Sequence, residues 1–448
     1  MKYCLVSLGC QMNTSDAERV SSVLEAMGFE HTDSEEDATI LGLVACSVRQ
    51  RAIDRAYAKI RKWNSWKDTR DLLTFATGCV LPGDRERFLK AFDFFFPINE
   101  LPNLPEMISG YGVVSQAGLR LRDDEVIPPE SKNDKRKGFW QIEPAYATDF
   151  EAFVPIQNGC DKFCSFCAVP YTRGREVSRP SGEILREVEG LIASGYKSIT
   201  LLGQNVNSYG HDKRQSEIGF AGLLRRIGDI GKSADSGLRV YFTSPHPRDM
   251  TREVIEVISE YDCLAKQIHL PLQSGDDGVL KRMNRSYTLE KYRRIVEDIR
   301  TIIPDATLFT DIIVGFPGET DDEFDKTRQA MAEFEYNMAY IALYSPRPGA
   351  KSAEWKDDIP HEVKKERLHV LSELLKGISR SYNEKLIGRT LPVLVSGTDR
   401  KPGYLSGKSE GLLVVRFPSE NKSLIGTIAD VEISSASDLS IEGKLAGG

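Results

Sequence analysis

The sequence predicts an α/β chain in three parts: an N-terminal parallel sheet, a central partial (β/α)6 barrel and a small C-terminal antiparallel β-barrel. Three observations predict this. Short apolar runs alternate with helix-period segments over residues 1–115, the pattern of a parallel sheet. The same alternation resumes from 151 to about 345 with six β/α units, two short of a closed barrel. After Gly388 the apolar period falls to two between glycine turns, as in a small β-barrel.

In chain order, Tyr3 to Leu8 reads as a strand. The helix after it is expected to be capped by Ser15 and Glu18 and stopped at Gly28. Thr39 to Val44 is a second strand, Gln50 to Trp63 a helix, and Leu72 to Ala76 a third strand. The stretch RLRDDEVIPPESKNDKRKG, with Pro128 and Pro129, has little apolar period and reads as a linker. It carries the basic cluster Lys132, Lys135, Arg136 and Lys137. Barrel strands are expected near 153–156, 198–202, 238–242, 266–270, 308–314 and 338–343. Helices such as Ser181 to Ala193 and Thr288 to Ile302 lie between them. Leu368, Leu371, Leu375, Ile378 and Tyr382 give one apolar face to a long helix, about His361 to Ile387. LPVLVSG, GYLSG, LLVVRF and ADVEIS are the last strands. The domains are therefore 1–115, a linker over 116–145, 146–380 and 381–446.

Composition excludes several classes. Eight cysteines in 448 residues are too few for a disulfide scaffold. No apolar run approaches about 18 residues, and the N-terminus lacks a signal-peptide core, so a cytoplasmic chain with reduced thiols is expected. A net charge of −7 excludes a uniformly basic protein. It permits a local cationic face.

The strongest chemical signal is Cys160-Asp-Lys-Phe-Cys164-Ser-Phe-Cys167, directly after the first barrel strand. Three thiolates on a four-iron, four-sulfur (4Fe-4S) cluster leave one iron open. Structural zinc wants a fourth ligand, and the next histidine is His211. Cys10, Cys46 and Cys79 each follow one of the N-terminal strands. Strand ends of a parallel sheet share one edge, where ligands bind. Either these thiols converge on a second site or they are three buried cysteines. Cys4 and Cys263 read as packing residues.

The segments GCQMN (9–13), ACSVR (45–49), GCV (78–80) and GCDKFCSFCAVPYTRGREVSRPS (159–181) resemble the methylthiotransferase family of radical S-adenosylmethionine (SAM) enzymes. The resemblance covers essentially the whole chain. It implies a flavodoxin/Rossmann-like N-terminal domain, a radical SAM core and a C-terminal TRAM domain. GCQMN, YTRGREVSRP and LLGQNVNSYG resemble most the branch acting on N6-isopentenyl(dimethylallyl)adenosine at position 37 of tRNA. Branches acting on threonylcarbamoyladenosine or on a ribosomal protein are alternatives. A non-catalytic iron–sulfur RNA-binding protein and a zinc module are alternatives of other classes.

The resemblance implies roles residue by residue. Cys160, Cys164 and Cys167 would hold the SAM-cleaving 4Fe-4S cluster. Cys10, Cys46 and Cys79 would hold an auxiliary 4Fe-4S cluster as sulfur donor, with two SAM used per product. Phe166, Gln204, Asn205, Ser244, His246, Gln273, Ser274 and Gly315 would contact SAM at the strand ends, where turn chemistry is the alternative reading. His246, between Pro245 and Pro247, could equally be structural. No general acid or base is named, because an aromatic C–H offers no acidic proton. Val44-Ala45 and Val80-Leu81-Pro82-Gly83 depart from the family's usual pattern beside the auxiliary site.

RNA contact is expected from Arg173, Arg175, Arg179, the 132–137 cluster, Lys385, Arg389, Arg400, Lys401 and Lys408. The last 68 residues hold eight basic and eight acidic residues, so only a one-sided distribution would grip phosphates. The partners implied are a tRNA anticodon stem-loop, an electron donor such as flavodoxin or ferredoxin, and sulfur- or cluster-delivery proteins. No membrane is involved, and the chain is expected to be a monomer.

Overall fold

The computed structural model describes residues 1–46, 50–112, 135–232 and 237–447. The chain divides into two compact units. One comprises Met1–Ala147 with Cys167–Arg175 and Arg347–Ala350. The other comprises Thr148–Phe166, Glu176–Pro346 and Lys351–Gly448.

The first unit is a five-stranded parallel sheet in the order β2-β1-β3-β4-β5. Its strands are β1 (Lys2–Leu8), β2 (Glu30–His31), β3 (Ile40–Cys46), β4 (Leu73–Cys79) and β5 (Phe94–Phe95). Every residue of β3 and β4 is buried. Apolar layers lie on both faces of such a sheet, which is why β3 reads as a near-continuous apolar run. One layer gathers Tyr3, Leu24, Phe75 and Phe96, the other Leu43, Ile60, Trp63 and Phe88. Two short strands, β2 and β5, have no signal in the sequence because two residues carry no period.

The first helix corrects its expected start. It runs Gln11–Ala26 with Cys10 as N-cap, and Asn13 Oδ1 accepts from the Cys10 N–H at 3.2 Å. Ser15 and Glu18 are buried inside this helix rather than capping it. The stretch read as linker contains a helix, Lys135–Trp140, whose Phe139 and Trp140 enter the first apolar layer. Lys132, Ser47, Val48 and Arg49 lie outside the described residues.

In the second unit, β6 (Glu151–Pro155) is followed by a two-stranded ribbon, β7 (Gln157–Asn158) with β8 (Val177–Ser178). Then come β9 (Ser198–Leu202), β10 (Arg239–Phe242), β11 (Gln267–His269), β12 (Thr307–Val314) and β13 (Met338–Leu343). Two parallel sheets form, β10-β9-β6 and β11-β12-β13, and Val240 of β10 makes a parallel bridge to Leu264, three residues ahead of β11. All six expected barrel strands are present in the expected order. Threonine N-caps start some of the outer helices: Thr251 accepts from Val254 N–H, and Thr288 from Lys291 N–H.

The long helix is His361–Glu384. Beyond it, β14 (Thr390–Thr398), β15 (Tyr404–Ser409), β16 (Val414–Pro418), β17 (Ile428–Ala436) and β18 (Ser440–Leu445) close a barrel in the order β14-β15-β16-β18-β17. Its pairing is antiparallel except between β16 and β18, which run parallel, a departure from the all-antiparallel expectation. Val393, Leu405, Val415, Phe417 and Val431 fill it. Arg239 fixes this barrel to the β/α core, donating to the carbonyls of Lys408 at 2.9 Å and Pro392 at 2.7 Å. Among the described residues, no helix is long and apolar enough to cross a membrane.

Candidate iron–sulfur and SAM sites

Two sets of cysteines sit at the C-terminal ends of parallel strands. In the second unit the chain leaves β6 and turns at Gly159, where φ is +83°. Cys160 and Cys164 follow, both buried; Cys167, three residues on in sequence and half-buried, is counted with the first unit. Burial pushes the Cys160 thiol up to about 11. A fully buried cation faces this loop. Arg285 donates to Cys164 Sγ at 3.3 Å, to the Pro271 carbonyl at 3.3 Å and to Tyr287 Oη at 3.1 Å. Burial opposes its charge, but Tyr287 and Cys164 more than offset that and raise its pKa. Thiols shed their protons when they bind iron. A guanidinium beside one sulfur therefore suits a thiolate ligand better than a neutral thiol.

The expected SAM contacts lie in the same unit. Gln204 Oε1 accepts from Gly159 N–H, and Asn205 Nδ2 donates to Asp249 Oδ2 at 3.1 Å. Asp249 also pairs with Lys162 at 2.5 Å. His246 is buried, and its Nδ1 accepts from Arg248 N–H at 3.1 Å. That leaves the ring hydrogen on Nε2. Burial, then Arg285 and Lys162, hold the imidazole neutral. Asn205 Oδ1 and His246 Nε2 are buried with no protein partner among the described residues. An acceptor and a donor left open in this way fit a ligand with an ammonium and hydroxyl groups.

The remaining candidates differ in setting. Ser244 is exposed, and it and Gln273 have left-handed backbone, with φ of +58° and +69°. Ser274 is fully buried against Thr327 Oγ1 at 3.3 Å. Gly315 has φ of +70°, and a Cβ there would meet Lys364 Cγ at 2.3 Å. Phe166 packs with Met283, Phe316 and Tyr344.

In the first unit the sheet register brings the other thiols together. Cys46 and Cys79 end β3 and β4 as in-register neighbours, and Leu8 of β1 sits beside Ala45. Cys10 lies two residues beyond Leu8. Asn13 links the set: Cys10 Sγ lies 3.5 Å from its Oδ1, and its Nδ2 reaches Cys79 Sγ at 4.0 Å. Gly78 takes φ of +107° to permit this approach. A hydrogen bond with Cys46, then burial, hold the Cys79 thiol well above its ordinary value. Arg173 opposes them, donating from Nε to Cys79 Sγ at 2.8 Å and pairing with Asp16. Cys46 and Cys79 side by side, Cys10 tied to them through Asn13 and a buried cation at Cys79 Sγ fit an iron–sulfur cluster. Among the described residues, no three His, Cys, Asp or Glu side chains are arranged to hold a single metal ion. A four-iron cluster spaces its thiolates more widely than the roughly 2.3 Å bonds of tetrahedral zinc require.

Two expected RNA contacts are corrected. Arg173, whose side chain is 3% exposed, is committed to Asp16 and Cys79. Arg179, 6% exposed, pairs with Glu183 and Glu187. Both belong to the interior because a carboxylate neutralises each where burial would otherwise exclude a charge. Arg175, Lys385, Arg389 and Lys401 are exposed. Lys401 bridges to Glu442 at 3.0 Å and lies over the Tyr404 ring.

Sequence reasoning missed several functional candidates. Asn13 and Asp16 were hidden in an ordinary helix pattern. Arg285 stands 118 residues after Cys167 in sequence, with no local cue. On β11, β12 and β13, His269 Nε2 lies 3.0 Å from Asp311 Oδ2, and exposed Tyr340 stands 5.8 Å from the His269 ring. An aspartate inside the apolar run TLFTDIIV was the available signal for that cluster.

Three family matches cover the chain in order. Residues 2–96 match Uncharacterized protein family UPF0004, residues 154–331 the Radical SAM superfamily, and residues 384–446 the TRAM domain. A tRNA-2-methylthio-N(6)-dimethylallyladenosine synthase of Syntrophotalea carbinolica is 38% identical, with 97% of each chain covered. The synthase of that name from Symbiobacterium thermophilum is 39% identical over 98% of this chain and 93% of its own. That of Bacillus velezensis is 38% identical over 100% and 86%. Among solved structures, the radical S-adenosylmethionine methyltransferase TsrM of Kitasatospora setae aligns with a TM-score of 0.55 at 14% identity, covering 92% of this chain and 80% of that one. That likeness speaks to the fold. The full-length relatives go further: the chain belongs to the radical SAM methylthiotransferase family of tRNA-2-methylthio-N(6)-dimethylallyladenosine synthases.

Proposed function

We propose that the chain adds a methylthio group to C2 of N6-isopentenyladenosine at position 37 of tRNA. The in-register pairing of Cys46 with Cys79, beside Cys10, carries this reading, since it adds a second sulfur-ligand set to the radical SAM motif. When bound, 4Fe-4S clusters at the two sets would supply reductive SAM cleavage and a sulfur donor respectively.

Cys160, Cys164 and Cys167 would hold the first cluster, and Cys10, Cys46 and Cys79 the second. Arg285 keeps positive charge beside Cys164. Asn205 and His246 offer an open acceptor and an open donor to SAM. His246 is neutral, so it serves as a hydrogen-bond donor and not as an acid. The exposed Arg175, Lys385 and Arg389 would meet tRNA phosphates, with the C-terminal barrel as RNA module. The target adenosine must leave its stack to reach buried sites. The enzyme would work in the cytoplasm as a monomer, reduced by a flavodoxin- or ferredoxin-type donor and resupplied by sulfur-delivery proteins.

The test is product analysis. Anaerobically reconstituted protein, SAM, reductant and an isopentenylated anticodon stem-loop should yield the methylthio nucleoside by mass spectrometry. SAM cleavage without a modified nucleoside would overturn the substrate assignment.

A further inference from the structure

The pair Asp16–Arg173 has no simple structural justification. Asp16 and Arg173 are 0% and 3% exposed, and Asp16 Oδ1 is buried without a protein partner among the described residues. Replacing a buried ion pair with apolar side chains is often neutral or stabilising, so such a pair is weak support for a fold. This pair has a directed end. One carboxylate oxygen of Asp16 takes Nη2 of Arg173, and Nε of the same guanidinium points at Cys79 Sγ at 2.8 Å. A guanidinium is planar and rigid, so fixing one edge aims the other.

The contacts from Asn13 to the same sulfur set are longer or of the opposite kind. Asn13 Nδ2 stands 4.0 Å from Cys79 Sγ and is shared with the Ala45 carbonyl at 3.2 Å. The Cys10 sulfur faces an acceptor, Asn13 Oδ1. Arg173 is therefore a short, charged donor to this sulfur set.

We infer that Arg173, aimed by Asp16, is the positioning residue that sets the reduction potential of the auxiliary iron–sulfur site through its hydrogen bond to the Cys79 sulfur. The inference rests on the proposed cluster at Cys10, Cys46 and Cys79. The physical reason is general. Reduction adds negative charge to a cluster and its thiolates. A fixed cation and N–H at one sulfur stabilise the reduced form more than the oxidised form, and so raise the potential. The residue belongs by sequence to the stretch YTRGR, where an RNA contact was expected, yet its charge is directed to sulfur instead.

The test uses the full chain with Cys160, Cys164 and Cys167 replaced by alanine, which isolates the auxiliary site. After reconstitution, iron per chain and the midpoint potential are measured, the latter by a titration followed by electron paramagnetic resonance. The parent should hold about four irons. Arg173→Gln, which removes the charge, should retain iron and titrate at a more negative potential. Arg173→Lys, which retains it, should fall between Gln and the parent. An Arg173→Gln midpoint equal to the parent's overturns the inference, as does loss of iron from both variants while circular dichroism shows them folded. If only Arg173→Gln loses iron, Asp16→Asn is read in its place. A displaced midpoint then supports the inference, and an unchanged one overturns it. A parent without iron refutes the auxiliary-site reading itself, which separates the two failures.

Discussion

Replacing Gly78 by alanine tests whether the sheet register builds the auxiliary site. Gly78 precedes Cys79, pairs with Ala45 across β3 and β4, and has φ of +107°. An added Cβ would lie 2.4 Å from the Ala45 carbonyl oxygen and 3.0 Å from its nitrogen. Both are backbone atoms of a buried strand, so no rotamer change relieves the overlap. Positive φ in a residue with a Cβ costs about 1–2 kcal/mol. Overpacking against a rigid wall adds about 1–3 kcal/mol. The sum, about 3 kcal/mol, should lower the melting temperature by roughly 6–12 °C in a domain of this size. Relief by moving the strands apart would separate Cys46 from Cys79, so reconstituted iron should fall from about eight per chain toward about four. Gly83→Ala is the matched control, since nothing lies within 4 Å of its added Cβ. It should shift stability by less than about 1 kcal/mol. Calorimetry and iron analysis read both variants. A Gly78→Ala chain that melts with wild type and loads all its iron would refute the reasoning.

Two further predictions concern the second unit, and a third returns to the auxiliary cysteines. Glu176 is buried, and burial raises its carboxyl from 4.5 to about 7. The folded chain thus holds this proton more tightly than the unfolded chain. Its stability contribution is complete below about pH 4.5 and is lost as pH rises through 7, by about 2 kcal/mol after allowance for partial screening. Glu176→Gln should flatten that slope in urea unfolding between pH 5 and 8, and an unchanged slope would exclude Glu176 as its source. Arg239→Ala removes two hydrogen bonds from a buried guanidinium, to the carbonyls of Lys408 and Pro392, and should cost about 3 kcal/mol at roughly 1.5 kcal/mol each. A urea midpoint equal to wild type would show that these bonds do not stabilise the second unit. Alanine at Cys10, Cys46 and Cys79 together should remove about half the iron. Full retention would move the second cluster elsewhere.

The fold was legible where burial imposes a period. All six barrel strands and the apolar β3 and β4 could be read because both faces of a parallel sheet are covered. Helix starts with a threonine cap were equally readable in principle. The start at Cys10 was not, because Asn13 and a cysteine occupy places where Ser15 and Glu18 offered the more familiar pattern. At the proposed sites, the grouping of Cys160, Cys164 and Cys167 is legible from spacing alone. Cys10, Cys46 and Cys79 become a set only through register, a property of pairing and not of any one segment. Arginine is where sequence misled. Arg173 and Arg179 look like surface cations until the carboxylates that meet them, Asp16, Glu183 and Glu187, are known.

The different spans of the two cysteine sets carry a thermodynamic consequence for maturation. Cys160 to Cys167 is a short loop that even an unfolded chain can close around iron at small entropic cost. Cys10, Cys46 and Cys79 meet only once β1, β3 and β4 have paired. A ligand that binds native and unfolded chains alike adds little stability, whereas one that binds only the native chain adds its full binding free energy. Iron at the auxiliary set would therefore be linked tightly to the folding of the first unit. The local set would load with less regard to it. Under iron limitation or heat, chains with one cluster should be those that kept Cys160, Cys164 and Cys167 occupied, which makes the auxiliary set the fold's own sensor of its completeness.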